Sequence, residues 1–227
     1  MSDDAPTATA TIVDLTHDGV GVADLDGRKI FVADALPGER VEVALRKRRR
    51  KMQEADLVRV LEPSSSRVQP ACEHFGRCGG CALQHLTHAA QVDFKQRVVA
   101  EALKRIGGVE PQEWLPPVMS EPWHYRRRAR LGVKHVTPKN RVLVGFRERG
   151  GQYITDMRSC PVLMRPVDGL HGELAELIEK SSVRDRLPQI EVAVADDAVA
   201  LVFRVLADPS AGDTEAFRAF GARFGLD

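Results

Sequence analysis

The four cysteines of this 227-residue chain are the side chains whose types and spacing most clearly indicate chemistry. Cys72, Cys78 and Cys81 fall within one short segment, ACEHFGRCGGCALQH, and Cys160 follows much later in MRSCPVL. Two thiolates separated by two residues can bind one metal centre from a single turn, and the neighbouring glycines let the backbone fold tightly. A remote fourth thiolate would tie this segment to another part of the chain, so that metal binding and folding become coupled.

Four thiolates can complete either a tetrahedral zinc site or one iron–sulfur cluster. Zinc sites usually combine two C-x2-C pairs, and this sequence contains only one. The proline after the last cysteine, Pro161, is typical of bacterial cluster ligation and favours the cluster. His74 and His85 lie close enough in sequence to be considered as zinc ligands. Because four cysteines already fill the coordination shell, positions on the surface or behind the ligands are the simpler interpretation for both histidines.

Disulfide bonds and nucleophilic catalysis are the other roles open to these thiols. The N-terminus, MSDDAPTATA, lacks the features of a signal peptide, and no run of eighteen apolar residues is present. We therefore expect a cytoplasmic protein without membrane contact, whose thiols stay reduced. A catalytic cysteine would need a thiol that binds no metal, and the predicted metal site uses all four.

Charge is segregated along the chain, although the net charge is only +1. Residues 1–39 carry eight acidic and two basic side chains, whereas residues 40–51 carry seven basic and one acidic. Residues 121–149 carry nine basic and two acidic side chains, and residues 181–227 return to an excess of acids. Such segregation indicates a polyanionic partner that meets particular surfaces of the protein.

Two basic segments are candidate RNA-binding surfaces. The first is a run of six basic residues that we place at a strand end and hairpin loop, with contacts to phosphates rather than bases: Arg46, Lys47, Arg48, Arg49, Arg50 and Lys51. The alternative for this run is a solvated turn.

The second segment is HYRRRAR at 124–130. In a strand, Arg126, Arg128 and Arg130 would share one face, and Tyr125 could stack on a splayed base. Arg147 lies on or near the same predicted sheet. The alternative is that Tyr125 belongs to the core and that the arginines pair with acidic side chains.

The elements that must position these residues fall into two regions. Residues 8–62 contain five short apolar stretches separated by turn signals, and the alternation of Val41, Val43 and Leu45 is typical of a strand. This pattern predicts a small all-β, OB-like barrel within 1–62. Residues 63–70 are rich in Ser and Pro and are predicted to be a linker.

Residues 71–227 are predicted to form an α+β domain. Helices are expected near 88–106, 167–180 and 214–224, the first with Thr87 and Gly107 as its caps. Three stretches between 125 and 158 (RRRARLGVKH, RVLVGFRE and QYITDM) predict a β-meander. Two further strands, QIEVAVA and VALVFRVL, are expected on either side of the turn DDA.

Three separated motifs, CEHFGRCGGCALQH, HYRRRAR and GFRERGGQYITDMRSCP, closely resemble the RNA uracil-C5 methyltransferase family. The best match is the subgroup that methylates a uridine of 23S ribosomal RNA, and the resemblance spans nearly the whole chain. It implies an N-terminal TRAM domain, which is an OB-like barrel, and a central domain with a [4Fe-4S] cluster held by Cys72, Cys78, Cys81 and Cys160. It also implies methylation by S-adenosylmethionine of a uracil that has been flipped out of its stack.

The family also has a Rossmann-like methyltransferase domain, which binds S-adenosylmethionine and supplies a cysteine nucleophile and a general base. No strand, glycine-rich loop and helix of this kind is recognisable here, so we expect this domain to be absent and assign no catalytic residue. The main hypothesis is a monomeric, RNA-binding and cluster-bearing part of a 23S rRNA methyltransferase that does not transfer methyl by itself. The alternatives are a free-standing RNA-binding module with a structural metal, and an electron-transfer protein, which the basic surfaces disfavour.

Overall fold

A computed structural model describes residues 6–46 and 53–226 of the chain. The chain divides into two compact units. Met1–Ala71 with Cys81–Val118 form one, called the barrel unit below, and Cys72–Gly80 with Met119–Asp227 form the other, called the sheet unit. None of the helices in the described ranges has the length and apolar character needed to cross a membrane. The domain boundaries proposed from the sequence, at 62 and 71, stay a prediction.

The barrel unit contains the five strands that the sequence predicts. They are β1 (Thr7–Leu15), β2 (Gly21–Leu25), β3 (Arg28–Val32), β4 (Arg40–Leu45) and β5 (Gln53–Glu62). The strands close into a barrel in the order β1-β2-β3-β5-β4, with β3 and β5 parallel and the other pairs antiparallel. Val41 and Val43 are fully buried among Ile12 and Ile30, because every second side chain of a strand points to the same face. The OB-like barrel is therefore present.

A helix packs on the barrel within the same unit. This helix, α1 (His88–Ala102), begins where Thr87 Oγ1 accepts a hydrogen bond from the Ala90 N–H at 3.4 Å, which confirms the predicted cap. Its buried Phe94 packs in a second small core with Leu15, Leu36 and Leu86. A π-helical turn (Leu103–Gly107) prolongs the helix, and Gly108 ends it at a φ of +65°. The cap is therefore one residue later than predicted, since this glycine adopts the left-handed conformation.

The predicted linker is fixed to the barrel by one buried carboxylate. Glu39 has no exposed surface, and its side chain accepts hydrogen bonds from the Leu36 N–H (2.8 Å), the Ser64 N–H (3.2 Å) and the Arg67 guanidinium (2.5 and 2.8 Å). Burial by itself would raise the pKa of Glu39, but these hydrogen bonds and the charge of Arg67 lower it below its usual value. Within the barrel unit, the start of the linker is therefore anchored.

In its described residues, the sheet unit contains four antiparallel strands and two α-helices. They are β6 (Arg128–Val136), β7 (Arg141–Gly145), β8 (Gln189–Val194), β9 (Val199–Arg204), α2 (His171–Glu179) and α3 (Ala211–Phe224). The strand order is β7-β6-β8-β9. Leu131 and Ile190 oppose each other on the buried face, and Phe203 of β9 stacks on Phe217 of α3 with ring centres 4.6 Å apart. The opposite face of the strands carries Arg128, Arg130 and Glu191 and is only partly covered.

The prediction that QYITDM forms the third strand of a meander is wrong. Gly132 and Gly145 pair across β6 and β7, and the segment crosses the sheet face above this pair. A Cβ atom at Gly145 would lie 2.6 Å from the Thr155 carbonyl oxygen and 2.8 Å from the Met157 sulfur, and one at Gly132 would overlap Ile154. Because the glycines leave this space open, the segment covers the sheet and makes only an isolated bridge from Ile154 to Arg147.

The predicted start of the last helix is also wrong. Helix α3 begins at Ala211, because Ser210 and Asp213 form a capping box. The Ser210 hydroxyl accepts from the Asp213 N–H at 3.1 Å, and the Asp213 carboxylate accepts from the Ser210 N–H at 2.9 Å. Hydrogen bonds from Ser182 and Ser210 lower the pKa of Asp213. Asp213 therefore lies inside the first turn, and the S-x-x-D pattern was available in the sequence.

Candidate metal centre and candidate RNA interface

The predicted cluster ligands are sheltered to different degrees. Cys78 and Cys160 are 8% and 4% exposed, whereas Cys72 and Cys81 are half-buried. Cys72, Cys78 and Cys160 belong to the sheet unit, and Cys81 is assigned to the barrel unit. In the described residues, none of the four forms a disulfide bond.

Backbone hydrogen bonds fold the segment from Cys72 to Gly80 into consecutive turns. The Phe75 N–H donates to the Cys72 carbonyl at 3.1 Å, and the Cys78 N–H donates to the His74 carbonyl at 2.8 Å. The Gly79 N–H donates to the Arg147 carbonyl at 2.8 Å, and a Cβ at Gly79 would lie 2.9 Å from that same oxygen. Glycine is therefore required here, because the segment comes so close to the chain after β7.

Cys160 is held by the residues that lead into α2. Its N–H donates to the Asp168 carbonyl at 2.8 Å, and its carbonyl accepts from the Leu163 N–H at 3.0 Å. The Asp168 carboxylate also lies 3.4 Å from the ring of His124. Backbone hydrogen bonds thus hold Cys160 against the residues that precede α2.

Two features of the cysteine-bearing segments bear on the predicted iron–sulfur cluster. Clusters are ligated by thiolates, and hydrogen bonds to the sulfurs and shelter from solvent tune them. The Gly80 N–H donates to the Cys78 sulfur at 3.4 Å, and two of the four thiols are buried. Across residues 6–46 and 53–226, no three Cys, His, Asp or Glu side chains are grouped so that they could hold a metal ion. The cluster therefore stays a prediction.

Of the first basic segment, the structure describes Arg46. The predicted contacts Lys47, Arg48, Arg49, Arg50 and Lys51 lie outside the described residues. Arg46 is described, and its guanidinium binds both carboxylate oxygens of Asp56, one of them at 2.8 Å, and lies 3.5 Å from Glu54. The hydrogen bonds to Asp56 raise the pKa of Arg46. Acids of β5 thus already compensate the charge of this arginine.

The second basic segment lines a groove on the partly open face of the sheet. Arg126, Arg128 and Arg130 border this groove of about 580 Å³, together with Phe146, Glu191 and Val202. Arg126 is half-buried, donates to the Gly80 carbonyl at 3.1 Å and lies over the ring of Phe146 at 5.6 Å. Arg128 and Arg130 are exposed. The structure therefore brings the three predicted arginines together along one surface.

Positive charge is in excess along this groove. Glu191 lies opposite Arg130 on the neighbouring strand, but its carboxylate binds Arg204 through two hydrogen bonds of 3.1 Å, which lower the pKa of Glu191. Arg128 lies opposite Ala193 and makes no ion pair with any other described residue. Arg127, by contrast, pairs with Asp196 at 2.6 Å. Among the described residues, Arg128 thus has no acidic partner, whereas Arg127 has one.

Phe146 lines this groove, and Tyr125 directly precedes Arg126 in the chain. Tyr125 is 49% exposed, which excludes the alternative that it belongs to the core. Arg147 is exposed, and its side chain makes no ion pair within the described ranges. Phe146, the residue beneath Arg126, was not among the predicted site residues. It directly follows the apolar alternation of β7, which was the one signal that could have indicated its place next to the sheet.

The barrel is similar to a domain of an RNA-modifying enzyme. Residues 9–66 match the family model described as the TRAM domain of tRNA (uracil(54)-C(5))-methyltransferase. Two relatives are named 23S rRNA (uracil(1939)-C(5))-methyltransferase RlmD. The protein of Alkalilimnicola ehrlichii is 49% identical over 95% of this chain and 48% of its own length. That of Nitrosococcus oceani is 50% identical over 93% of this chain and 48% of its own length.

A solved structure of another RNA uracil-C5 methyltransferase is also similar to this chain. The Pyrococcus abyssi tRNA (uracil-54, C5)-methyltransferase, in complex with S-adenosyl-L-homocysteine, matches 92% of this chain and 48% of its own chain. The TM-score is 0.62 and the identity is 25%. These findings confirm the resemblance to RNA uracil-C5 methyltransferases of the RlmD type. The chain spans about half the length of the curated relatives it matches.

The predicted fold class needs a correction. The prediction stated that the Rossmann-like methyltransferase domain of the family is absent from this chain. In the structure, 92% of the chain matches part of a solved methyltransferase. The described fold is therefore similar to that of about half of a solved methyltransferase. The prediction was wrong because a glycine-rich loop is only one local mark of such a fold, and the likeness here resides in a barrel and a sheet.

Proposed function

We propose that this chain binds ribosomal RNA as part of a uracil-C5 methyltransferase that forms 5-methyluridine in 23S rRNA with S-adenosylmethionine as methyl donor. The observation that carries the proposal is the arginine-lined groove of the sheet unit, where Arg128 is exposed and has no acidic partner in the described chain. The TRAM-type barrel and the names of the relatives support RNA as the ligand. A free-standing RNA-binding module would share this surface but would have no part in methyl transfer.

The groove can hold a single strand by two kinds of contact. Arg128 and Arg130 can bind phosphates, which gives affinity that depends on salt but not on sequence. Arg126 is held in place by Gly80 and Phe146, so its planar guanidinium can offer a surface for stacking at little further entropic cost. Tyr125 is sufficiently exposed to stack on a second base.

We further propose that Cys72, Cys78, Cys81 and Cys160 hold a [4Fe-4S] cluster. When bound, the cluster supplies a covalent cross-link between segments far apart in sequence. The thiolates of Cys78 and Cys160 are the ligands with the most shelter from water. The observation that supports this proposal is the hydrogen bond to the Cys78 sulfur, together with the resemblance of the four positions.

Alanine substitutions in the groove test the proposed RNA contacts. We expect Arg128→Ala or Arg130→Ala to weaken binding of a 23S rRNA hairpin about tenfold and to reduce the log–log salt slope by about 0.7 to 0.9 for each lost phosphate contact. Arg127→Ala is the matched control, because that side chain already pairs with Asp196. Binding titrations at two salt concentrations measure both quantities. Equal binding by all three variants would contradict the proposal.

The two basic segments are expected to act differently in the same titrations. Tyr125→Ala should weaken the cognate hairpin more than unrelated RNA, because stacking depends on how the RNA presents its bases. Neutralising the run 46–51 should weaken all RNAs alike, because phosphate contacts do not read sequence. If Tyr125→Ala lost equal affinity for both RNAs, the second segment would bind phosphates only and would not stack on bases.

Methyl transfer by the 227-residue chain alone is not expected. The chain contains four cysteines, and the proposed cluster uses all of them, so no thiol remains to add to C6 of the uracil. Incubation with S-adenosylmethionine labelled in its methyl group, followed by counting of the RNA, measures this. Labelled 5-methyluridine in the RNA would show that the chain contains a catalytic site of another kind.

A further inference from the structure

The partly open face of the sheet carries an apolar patch beside the basic groove. Residues directly opposite each other on neighbouring antiparallel strands share one face of a sheet. Arg128 therefore shares this face with its partner Ala193 on β8, and Ala193 pairs in turn with Ala200 on β9. In the next row, Glu191 pairs with Val202, which is 45% exposed. Ala193, Ala200 and Val202, called the apolar patch below, thus leave a shallow area between charged side chains.

The apolar patch is suited to the face of a nucleobase. Sequence-specific RNA recognition mostly targets single strands, whose unstacked bases lie against side chains while their edges form hydrogen bonds. Arg128 is exposed beside the patch and has no acidic partner in the described chain, so it can bind a phosphate next to such a base. Because exposed apolar surface and uncompensated positive charge lie together, this face favours single-stranded RNA over an uncharged or cationic partner.

The negative charge of Glu191 limits what can lie next to it. Glu191 is the one acidic side chain among the described residues that line the groove. The hydrogen bonds that Arg204 donates to it lower the pKa of Glu191, so the carboxylate is charged at pH 7. An ionised carboxylate accepts hydrogen bonds, donates none and repels a phosphate. A bound RNA must therefore present a donor to it, either a base N–H or a ribose hydroxyl.

Glu191 has capacity for one more hydrogen bond. A carboxylate has about four acceptor positions, two on each oxygen. Oε1 accepts from Arg204 Nε and Gln189 Nε2, both at 3.1 Å, and Oε2 accepts from the Arg204 guanidinium at 3.1 Å. One position on Oε2 has no donor among the described residues. The side chain is 30% exposed, so a ligand can reach this position, and Arg204 already holds the carboxylate in place.

We propose that Glu191 accepts a hydrogen bond from the amino group of an unpaired RNA base that lies on the apolar patch. This inference rests on RNA binding in the groove, as set out under Proposed function. Val202 stands directly opposite Glu191, so a base that lies on the patch presents its edge to the carboxylate. The contact is thus one of base readout, in addition to phosphate contacts that do not read sequence.

The chemistry of the contact selects among the four bases. Adenine, cytosine and guanine carry an exocyclic amino group, which donates, and carboxylates accept from such groups in base recognition. Uracil carries no amino group, and its ring N–H lies between two carbonyl oxygens that a carboxylate repels. We therefore expect the patch to take a base other than uracil, and hence a different base from the one that is methylated.

Two pairs of oligonucleotides test this preference, because the members of each pair differ at the amino group. A short, unstructured oligouridine is compared with one whose central residue is cytidine. A version with central adenosine is compared with one that contains purine riboside, which is adenosine without its amino group. The ring size is the same within each pair, so differences in stacking are small. Binding titrations with the unmodified 227-residue chain measure the two ratios of affinity.

We expect the cytidine and adenosine versions to bind about fivefold more tightly than their partners, the effect of one hydrogen bond. Glu191→Gln keeps the size of the side chain but offers a donor as well as an acceptor, so both ratios should fall to about one. Glu42→Gln is the matched control, because Glu42 also binds an arginine of a neighbouring strand, Arg59 at 2.6 Å, but lies on the barrel. The control should keep both ratios.

Several results would overturn the inference. Ratios of one in the unmodified protein would do so even if Glu191→Gln failed to fold. Ratios that persist in Glu191→Gln would place the readout elsewhere. An equal loss on all oligonucleotides in Glu191→Gln, with the ratios unchanged, would indicate that the carboxylate accepts from a ribose hydroxyl instead.

Arg128→Ala separates a failure of this contact from a failure of the proposed function. If the groove binds RNA, this variant should bind all four oligonucleotides about tenfold more weakly and keep the two ratios, because it loses a phosphate contact. If it binds them as tightly as the unmodified protein, RNA is not bound in the groove, and the proposed function fails together with this inference. If Arg128→Ala weakens binding but Glu191→Gln leaves the ratios unchanged, only the contact with Glu191 is wrong.

Discussion

Replacement of Cys160 by serine is expected to remove most of the bound iron and, at the same time, to lower the protease resistance of the sheet unit. Serine keeps the size of the side chain and leaves the backbone hydrogen bonds to Asp168 and Leu163 intact. Its hydroxyl is a poor ligand for iron, so the variant loses the fourth thiolate only. Because metal binding and folding are coupled, we expect limited proteolysis to become at least tenfold faster.

The adjacent residue offers a matched control for this prediction. Ser159→Ala changes an exposed side chain next to Cys160 and should leave iron content and protease resistance unchanged. Iron is measured per chain, with about four expected in the unmodified protein for this cluster type. Two results would contradict the prediction: a full iron content in Cys160→Ser, or an iron-free protein that resists protease as well as the iron-loaded one.

Glu39→Ala is expected to lower the free energy of unfolding of the barrel unit by about 3 kcal/mol, since it removes one partner of a buried ion pair. The carboxylate is completely buried and accepts from the Arg67 guanidinium and from the N–H groups of Leu36 and Ser64. Removing the acceptor leaves a positive charge and two N–H groups without their partner. Urea denaturation followed by circular dichroism measures the loss.

An exposed ion pair of the same barrel is the control for Glu39. Glu62 pairs with Arg40 at 2.7 Å, but both side chains are at least half exposed. Exposed pairs contribute about 1 kcal/mol or less, so Glu62→Ala should change stability little. Equal losses in the two variants would show that the anchoring of Ser64 and Arg67 does not stabilise the barrel unit.

The dependence on pH provides a second check on Glu39. Its pKa is lowered in the folded protein, so the carboxylate contributes stability that is present above its ordinary value of 4.5. This contribution is lost as the pH falls below that value towards the lower pKa of the folded state. The stability difference between the unmodified protein and Glu39→Gln should therefore shrink in acid. A difference that stays constant from pH 7 to pH 3 would contradict this account.

Several local features of the fold could be predicted because they depend on neighbouring residues. The alternation of Val41 and Val43 fixed a strand and its buried face, and Thr87 fixed the start of α1. The spacing of the cysteines limited their chemistry to a few kinds of site, and the three motifs indicated the family. The capping box at Ser210 was equally local, and reading it would have placed the start of α3 correctly.

Contacts between residues far apart in sequence could not be predicted in this way. Whether QYITDM adds a strand or crosses the sheet depends on Gly132 and Gly145 facing each other across two strands. The burial of Glu39 depends on Arg67, which lies 28 residues further along the chain. Neither partner is visible in the local pattern, because register and approach are set when the strands pair.

For the candidate site, the sequence by itself determined the residue types: four thiols at a characteristic spacing, and arginines at every second position from Arg126 to Arg130. Only the tertiary structure decided which of these groups are available. Asp56 and Asp196 pair with Arg46 and Arg127, whereas Arg128 pairs with no acid within the described residues. The physical reason is that charge and hydrogen-bonding capacity belong to the residue, but their compensation depends on which distant groups the fold brings within a few ångströms.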